Sequence, residues 1–291
     1  MKTITSDKLV TSYDRRNQIH LRVSPGEEVL VETHDRFVSW QEAGKAPDLS
    51  SPALMGVTGA IYVEGARPGS TLRVDILNIQ LTSSFGLVNA IPGKGAFANS
   101  VEQFTAVRAE IEGEAIHFMG FEIPVSPMVG RAGVAPAGEP VGSVSAGPHG
   151  GNLDAKEITT GSSVLLPVFV EGGLLALGDI HAAMGDGEVM ISGVETMANV
   201  TIRCSVLENW PLQHPMVITP TRLIALASAA TLDEASVLAL ESMRSHVCSR
   251  LGLDTVSAGM LLSVAADLGV AQIVNPLKTA KVSLPLRILQ S

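Results

Sequence analysis

The sequence is poor in cysteine, in clustered basic residues and in long apolar runs. Cys204 and Cys248 lie far apart with no Cys-x-x-Cys spacing, so neither a disulfide nor thiol catalysis is expected. Acidic residues outnumber basic ones by 29 to 20, which disfavours nucleic acid or an anionic membrane as a partner. No apolar run reaches about 18 residues, and the N-terminus lacks the apolar core of a secretory signal. We therefore expect a cytoplasmic protein without membrane spans.

Signatures of several common enzyme classes are also missing. The chain has no Gly-x-Ser-x-Gly elbow, no Walker A loop, no dinucleotide-binding glycine fingerprint after a first strand, and no His-Glu-x-x-His pair. These absences disfavour serine-triad and phosphate-binding chemistry. Imidazole and carboxylate groups without a nucleophile elbow favour metal-assisted or acid/base hydrolysis.

The first two thirds of the chain has the pattern of a β protein. Hydrophobic residues make up 46% and charged residues 17%, which is typical of a folded globular chain. Short apolar or alternating segments, such as 71–79 and 188–194, are separated by glycine and proline turns. Residues 1–210 are therefore predicted to form a β-sandwich body, jelly-roll-like in character, that carries the site loops.

Two segments of this body lie close to the candidate site. The apolar stretches 164–170 and 174–177 flank Gly172-Gly173 and predict a hairpin. Residues 127–153 are rich in proline, glycine, alanine and serine, so they form either a flexible linker or a long functional loop. We favour the functional loop because it leads directly into His149.

Residues 211–291 change to an α+β pattern. A capping box at 231–234 begins a helix that Gly252 ends. A second helix, capped by Asp254, is predicted to run through Leu268; it is apolar nearly all round and is expected to be buried. Further strands are predicted at 270–274 and 282–286. We expect an α+β subdomain whose helix pair packs on the β body.

Two glycine-rich segments carry the clearest chemical signal. The first glycine segment is Gly147-Pro148-His149-Gly150-Gly151-Asn152-Leu153-Asp154, and the second runs from Gly178 to Glu188 and contains Asp179 and His181. Glycine lets the backbone approach a bound group closely. Imidazole with carboxylate suits a divalent metal or a hydrolytic acid/base pair. The alternative is that each segment is an ordinary solvated turn, with His149 capping a neighbouring carbonyl group.

Asp179 and His181 are two residues apart. If the strand at 174–177 continues this far, both side chains point to the same face of a sheet. There they can bind one metal ion together, or Asp179 can orient His181 from behind.

Four further acids are candidates with equally good structural explanations. Asp186 and Glu188 flank Gly187 and could simply form a turn. Glu32 and Asp35 lie where a predicted strand ends, and could simply be a polar strand end.

At these residues the sequence resembles the acetamidase/formamidase family. The resemblance covers about residue 15 to the end, and the motifs that carry it lie at 61–66, 148–154, 178–188 and 274–276. It implies hydrolysis of short amides to the acid and ammonia, a β-sandwich with an added α+β region, a dimer and a divalent metal. Ala60 replaces a proline usual in the family, and Arg67 stands where an acid is frequent, so the substrate is left open.

The combined expectation is amide hydrolysis by an activated water. A divalent cation, zinc or calcium, would be held by a subset of six residues: His149, Asp154, Asp179, His181, Asp35 and Asp186. Glu188, with Glu32 in reserve, would move the proton to the departing ammonia. The cation or the backbone amides of Gly150 and Gly151 would stabilise the oxyanion.

The composition favours a small substrate. Aromatic residues make up only 4% of the chain, which agrees with a small aliphatic amide. The resemblance implies a homodimer, and the acidic charge balance disfavours nucleic acid as a partner. The alternatives are a catalytically silent metal- or ligand-binding module, and a hydrolase of a larger or cyclic amide.

Overall fold

The computed structural model describes residues 1–45, 48 and 51–290. Strands account for 42% of the chain and helices for 17%, so the predicted mainly β fold is confirmed. The strands in chain order are β1 Lys2–Ile4, β2 Leu9–Val10, β3 Ser12–Tyr13, β4 Leu21–Val23, β5 Glu28–Glu32, β6 Val57–Val63, β7 Thr71–Leu81, β8 Phe85–Ala90, β9 Thr105–Glu112, β10 Ala115–Phe118, β11 Phe121–Pro124 and β12 Met128–Gly133.

The remaining strands and the helices complete the order. The strands are β13 Val141–Gly142, β14 Ala146–Gly147, β15 Gly150–Asn152, β16 Ser163–Pro167, β17 Leu175–His181, β18 Glu195–Thr196, β19 Ala198–Leu207, β20 Met216–Ile218, β21 Arg222–Ala229, β22 Asp267–Gln272 and β23 Lys278–Pro285. The helices are α1 Arg36–Glu42, α2 Leu232–Leu251 and α3 Thr255–Ala265, with 3-10 turns at Pro52–Met55, Ala98–Ser100 and Leu286–Gln290.

Two large sheets pack face to face. The first has nine strands in the order β1-β5-β19-β7-β16-β20-β21-β23-β22. The second has twelve strands, with the order β11-β10-β9-β8-β18-β17-β12-β15-β14; in addition, β6 pairs with β17, and β2 and β4 pair with β6. Buried side chains of both sheets, among them Val31 and Val74 of the first and Ile61 and Leu177 of the second, form one core.

The first sheet is continuous across the predicted domain boundary at residue 210. β16 pairs antiparallel with β20, so Ser163 lies opposite Ile218. The sheet then continues through β21, β23 and β22. The division into 1–210 and 211–291 stays a prediction about folding units, but the two parts share hydrogen-bonded strands.

The first C-terminal helix follows its sequence signals closely. Thr231 and Glu234 form the predicted capping box, and Gly252 ends α2 in the left-handed conformation with φ 66°. The buried face of α2 packs on β21 and β23 and carries Ala235, Ala239, Met243 and Val247. Burial of this stripe holds the helix on the sheet.

The second helix departs from expectation. Asp254 caps α3 as predicted, but α3 ends at Ala265 and only Ala258 and Leu262 are buried. Val256 and Val264 are 69% and 84% exposed, so the predicted full burial is wrong: a single stripe at i, i+4 packs on the protein. No single helix in the described part of the chain is long and apolar enough to cross a membrane, and α2 with α3 meets that test only as a pair bent by 113°.

Three predictions for the β body are wrong. The segments 164–170 and 174–177 form no hairpin, because β16 belongs to the first sheet and β17 to the second. Residues 188–194 contain no strand. Residues 127–153 contain β12 to β15, in which glycines serve close strand contact rather than flexibility.

Candidate functional site

Asp179 and His181 lie at the end of β17, a strand inside the second sheet. The strand continues through His181, which meets the condition set for the sequence interpretation, and it pairs with β12 on one side and β18 on the other. His181 is completely buried, and its Nε2 atom lies 4.0 Å from Oδ2 of Asp179. The two side chains therefore act on the same small region.

Asp154 follows β15 and reaches the same region through β12. Its backbone N–H donates to the carbonyl oxygen of Gly130, which lies in β12 between β15 and β17. A Cβ atom added to Gly130 would lie 2.5 Å from Oδ1 of Asp154 and 2.9 Å from Oδ2 of Asp179. The missing side chain of Gly130 thus provides the space in which the two carboxylates converge.

Glu188 comes from a turn that the C-terminal region holds. Gly187 donates to the carbonyl oxygen of Ala271 at 2.7 Å, and Ile273 donates to that of Gly187 at 3.1 Å. Donor atoms of Asp154, His181 and Glu188 all lie within 4.8 Å of one another, and all three residues are buried. The two glycine segments therefore meet in the folded chain.

A second donor group shares the same histidine. Glu195 lies opposite His181 in the β17–β18 register, with Oε2 3.2 Å from the Nε2 atom of His181. Donor atoms of Asp179, His181 and Glu195 also lie within 4.8 Å of one another. Ser192 donates to the other oxygen of Glu195 at 3.1 Å. We call Asp154, Asp179, His181, Glu188 and Glu195 the acid cluster.

Arg131 is the cationic partner of this cluster. Its Nε atom lies 3.1 Å from Oδ2 of Asp179 and donates to Oδ1 of Asn152 at 3.1 Å. Arg131 pairs with Asn152 on β15 and with Gly178 on β17, so its place in the sheet fixes it beside the acids. Its charge offsets part of the negative charge of the cluster.

Burial and mutual repulsion perturb the ionisation of the cluster. Burial, with Asp179 nearby, raises the pKa of Asp154 to about 7. Burial, with Asp154 and Glu195 nearby, raises the pKa of Glu188 well above its usual range. Burial opposes the charged form of His181, but Glu195 and Asp179 outweigh it and raise the pKa of the imidazole. Such shifts are typical of acid/base and metal sites.

The backbone is unusual at the same positions. Asp154, Asp179 and Glu188 have φ values of 43°, 61° and 47°, in the left-handed region that non-glycine residues seldom adopt. Three of the six non-glycine residues with positive φ in the described ranges therefore bear site carboxylates. Strained backbone of this kind clusters at functional sites.

His149 lies outside both donor groups. It is buried, its ring packs edge-on against Tyr13 at 5.0 Å between centroids, and Nε2 has no hydrogen-bond partner in the described structure. Burial lowers the pKa of His149 to about 4, so the imidazole is neutral at pH 7. His149 thus belongs to neither donor group, although it precedes Asp154 by only five residues.

Three other predicted residues also lie outside the two donor groups. The Oδ1 atom of Asp186 lies 2.6 Å from Nζ of Lys281, so this acid belongs to an ion pair instead. Glu32 accepts a long hydrogen bond from Ser6 N–H at 3.4 Å. Asp35 caps α1 by accepting from Val38 N–H at 2.7 Å; burial and Glu195 raise the pKa of Asp35 to about 8, so it is electrostatically coupled to the cluster.

Comparison with known proteins agrees with this geometry. The family model described as the acetamidase/formamidase family matches residues 15–146 and 137–290. The chain belongs to this family. The mainly β fold, the family and the amidase class predicted from the sequence are thereby supported.

Individual relatives show how far the similarity extends. The crystal structure of an acetamidase from Bacillus halodurans is 40% identical, with a TM-score of 0.92 over 99% of this chain and 98% of that one. A formamidase of Methylophilus methylotrophus is 26% identical over 81% of this chain and 78% of that protein. A formamidase-like protein of Schizosaccharomyces pombe is 45% identical over 62 residues, which span 21% of this chain and only 15% of that protein.

Three residues of the candidate site were not predicted from the sequence. Glu195 reaches the site only through its pairing with His181, which no local pattern reveals. Arg131 lies in residues 127–153, which were predicted to form a linker or a loop. A single arginine among glycines and alanines is the sequence signal that could have identified it as a site residue. Asn275 was recognised within a motif but received no role; its Nδ2 atom donates to Oδ2 of Asp154 at 2.6 Å.

Proposed function

We propose that this chain hydrolyses short aliphatic amides such as formamide and acetamide, yielding the carboxylic acid and ammonia. The observation that carries the proposal is the buried meeting of Asp154, His181 and Glu188, in a member of the acetamidase/formamidase family. The relatives are named for short linear amides. They therefore favour this substrate class over a cyclic amide or a catalytically silent module.

The acid cluster fits a divalent cation. Among the described residues, Oδ1 of Asp154 and Oε2 of Glu188 are buried without a hydrogen-bond partner, and neither ring nitrogen of His181 makes a hydrogen bond of normal geometry. Unpaired buried polar atoms each cost about 1–3 kcal/mol, so such a set needs a partner. We propose that His181, which both donor groups share, would hold zinc or calcium together with Asp154 of the first group and Asp179 of the second. The cation would lower the pKa of a water ligand and polarise the amide carbonyl.

Glu188 is the proposed proton carrier. Its Oε2 atom takes a proton from the attacking water while the water oxygen bonds to the carbonyl carbon. The same proton then passes to the amide nitrogen, the carbon–nitrogen bond breaks, and ammonia leaves. A raised pKa suits this work, because the carboxyl group must both accept and release a proton near neutral pH. Glu32 is poorly placed for it, since it belongs to neither donor group.

Stabilisation of the oxyanion is assigned to Arg131. The amide groups of Gly150 and Gly151 lie in β15 between β12 and β14, so they face partner strands. Within the described structure, the terminal nitrogens of Arg131 donate no hydrogen bond, while Nε is fixed by Asp179 and Asn152. A guanidinium held in this way is preorganised to meet negative charge that develops on the substrate.

Release of ammonia from formamide and acetamide tests the proposal. His181→Ala and Asp154→Asn should lower kcat by at least about 100-fold, since each removes a group acting directly at the reacting centre. His117→Ala and Asp233→Asn change an exposed histidine and an exposed acid and serve as matched controls. The proposal would be refuted by wild-type protein that releases no ammonia from either amide, or by a fully active His181→Ala protein.

Other expectations stay predictions of the same proposal. Metal identity is measured by elemental analysis of purified protein, with zinc and calcium as the expected elements. The homodimer is tested by light scattering coupled to gel filtration. The cytoplasmic location is tested by cell fractionation.

A further inference from the structure

Asn275 reaches the acid cluster from the far end of the chain. It follows β22, in the C-terminal region, and is buried with 5% of its surface exposed. Its Nδ2 atom donates to Oδ2 of Asp154 at 2.6 Å and approaches the carbonyl oxygen of Asn152 at 3.4 Å. A side chain from one end of the molecule thus contacts a carboxylate of the first glycine segment.

The turn that carries Asn275 is fixed by one buried glutamine. Oε1 of Gln272 accepts from the backbone N–H groups of Val274 and Asn275, both at 2.9 Å. Nε2 of Gln272 donates to the carbonyl oxygen of Leu277 at 2.7 Å and to the hydroxyl of Thr279 at 2.8 Å. Because all these bonds lie within one buried turn, the amide of Asn275 is held in place before any ligand arrives.

This contact distinguishes the two oxygens of Asp154. Oδ2 is occupied by Asn275, whereas Oδ1 is buried without a hydrogen-bond partner in the described structure. Oδ1 is also the oxygen that faces Gly130, on the side where Oδ2 of Asp179 converges. The amide of Asn275 therefore fixes the rotation of the Asp154 carboxylate and leaves its Oδ1 atom available as a metal ligand.

We propose that Asn275 is a positioning residue for the site, which aims Oδ1 of Asp154 at His181 and Glu188. The expected effect of Asn275 on catalysis rests on the proposed function. Its expected effects on metal binding and on the orientation of the Asp154 side chain do not depend on amidase activity. The same end of the chain also holds the Glu188 turn through Ala271 and Ile273. The C-terminal region thus orients two of the three residues of one donor group.

Two substitutions at Asn275 test the inference by removing the donor in different ways. Asn275→Ala deletes it, and Asn275→Asp keeps the shape but places an oxygen against Oδ2 of Asp154. Both should weaken zinc or calcium binding by about 10- to 100-fold, as expected for partners that orient metal ligands. For formamide, kcat should fall by a similar factor while KM changes little, because substrate contacts are untouched. Asn209→Ala, at an exposed asparagine, is the matched control.

The outcomes separate this inference from the proposed function. Wild type without amidase activity ends the proposed function, whereas the metal affinities still test Asn275. Wild-type affinity and kcat in the folded Asn275→Ala protein would overturn the positioning role alone. A crystal structure of Asn275→Ala decides even without metal or activity, since a rotated Asp154 carboxylate is expected and an unmoved one refutes the inference. If Asn275→Asp does not fold, Asn275→Ala decides by itself.

Discussion

Gly130→Ala is the sharpest test of the convergence of Asp154 and Asp179. The new Cβ atom would lie 2.5 Å from Oδ1 of Asp154, 2.9 Å from Oδ2 of Asp179 and 3.0 Å from the carbonyl oxygen of Asp179. Ordinary contacts begin near 3.4 Å, so the Asp154 oxygen must retreat by about 0.9 Å and the Asp179 oxygen by about 0.5 Å. The carbonyl oxygen belongs to β17, which is paired on both sides and cannot easily yield.

Two separate losses are expected from this substitution. Overpacking of a buried site costs about 1–3 kcal/mol of unfolding free energy, measured by urea denaturation. A displacement near 1 Å among the groups proposed to hold the reacting water should lower kcat/KM by about 100-fold, measured by ammonia release from formamide.

Gly259→Ala is the matched control for Gly130→Ala. Gly259 lies in α3, and a Cβ atom there would meet nothing within 4 Å. Alanine should raise helix stability by up to about 1 kcal/mol and leave kcat/KM unchanged. A Gly130→Ala protein as stable and active as wild type would refute the reasoning, because the two carboxylates could then not share the space over Gly130.

Three further predictions concern pH, an ion pair and metal. Burial lowers the pKa of His149 from 6.5 to about 4, so the unfolded chain takes up the proton at a higher pH than the folded chain. Protonation should therefore lower the free energy of unfolding by about 2 kcal/mol between pH 7 and pH 5. His149→Gln should remove this pH dependence in urea denaturation, and an unchanged pH dependence would contradict the prediction. Lys281→Met removes the cationic partner of Glu157, which its Nζ atom contacts at 2.7 Å, whereas Asp186 keeps Lys156 at 3.1 Å. A loss of about 1–3 kcal/mol is expected, and unchanged chemical denaturation would contradict it. Dialysis against a chelator should abolish amidase activity, and readdition of one or two ions per chain should restore it; full activity in metal-free protein would exclude the Lewis-acid part of the mechanism.

Local signals in the sequence were reliable where local interactions decide the structure. The capping box at Thr231 and the left-handed Gly252 are contacts within one helix, so the limits of α2 followed from a few neighbouring residues. The same holds for the cap at Asp254. The two glycine segments were recognised for a related reason, because glycine beside imidazole and carboxylate is a pattern of short range.

Strand pairing could not be obtained in the same way. Residues 164–170 and 174–177 look like two arms of a hairpin, yet each pairs with strands far away in the sequence and in different sheets. Partners such as Glu195 and Arg131 depend on that pairing: one lies opposite His181, and the other lies between β15 and β17. Their roles therefore became visible only once the register was known.

His149 and Asp154 are close in sequence, but only Asp154 belongs to a donor group. His149 precedes Asp154 by five residues, and both belong to the first glycine segment. Val134 donates to the carbonyl oxygen of His149 while the ring turns toward Tyr13, whereas Asp154 turns toward β12 and β17. Gly150 and Gly151, both with φ of 89°, lie between them and permit this change of direction. The glycines that made the segment a candidate site therefore also let His149 and Asp154 point in different directions.

The residues of the acid cluster lower the stability of the fold. Three carboxylates of the cluster stand on left-handed backbone, at about 1–3 kcal/mol each, and burial opposes the ionisation of Asp154 and Glu188. Arg131 contacts one oxygen of Asp179, Asn275 donates to one oxygen of Asp154, and Oε2 of Glu188 has no hydrogen-bond partner in the part of the chain that the structure describes. A core built for stability alone would place apolar side chains here. The surrounding sheet holds these residues in place despite the cost, and the proposed cation and reacting water would recover part of it by bonding to the atoms that lack a partner.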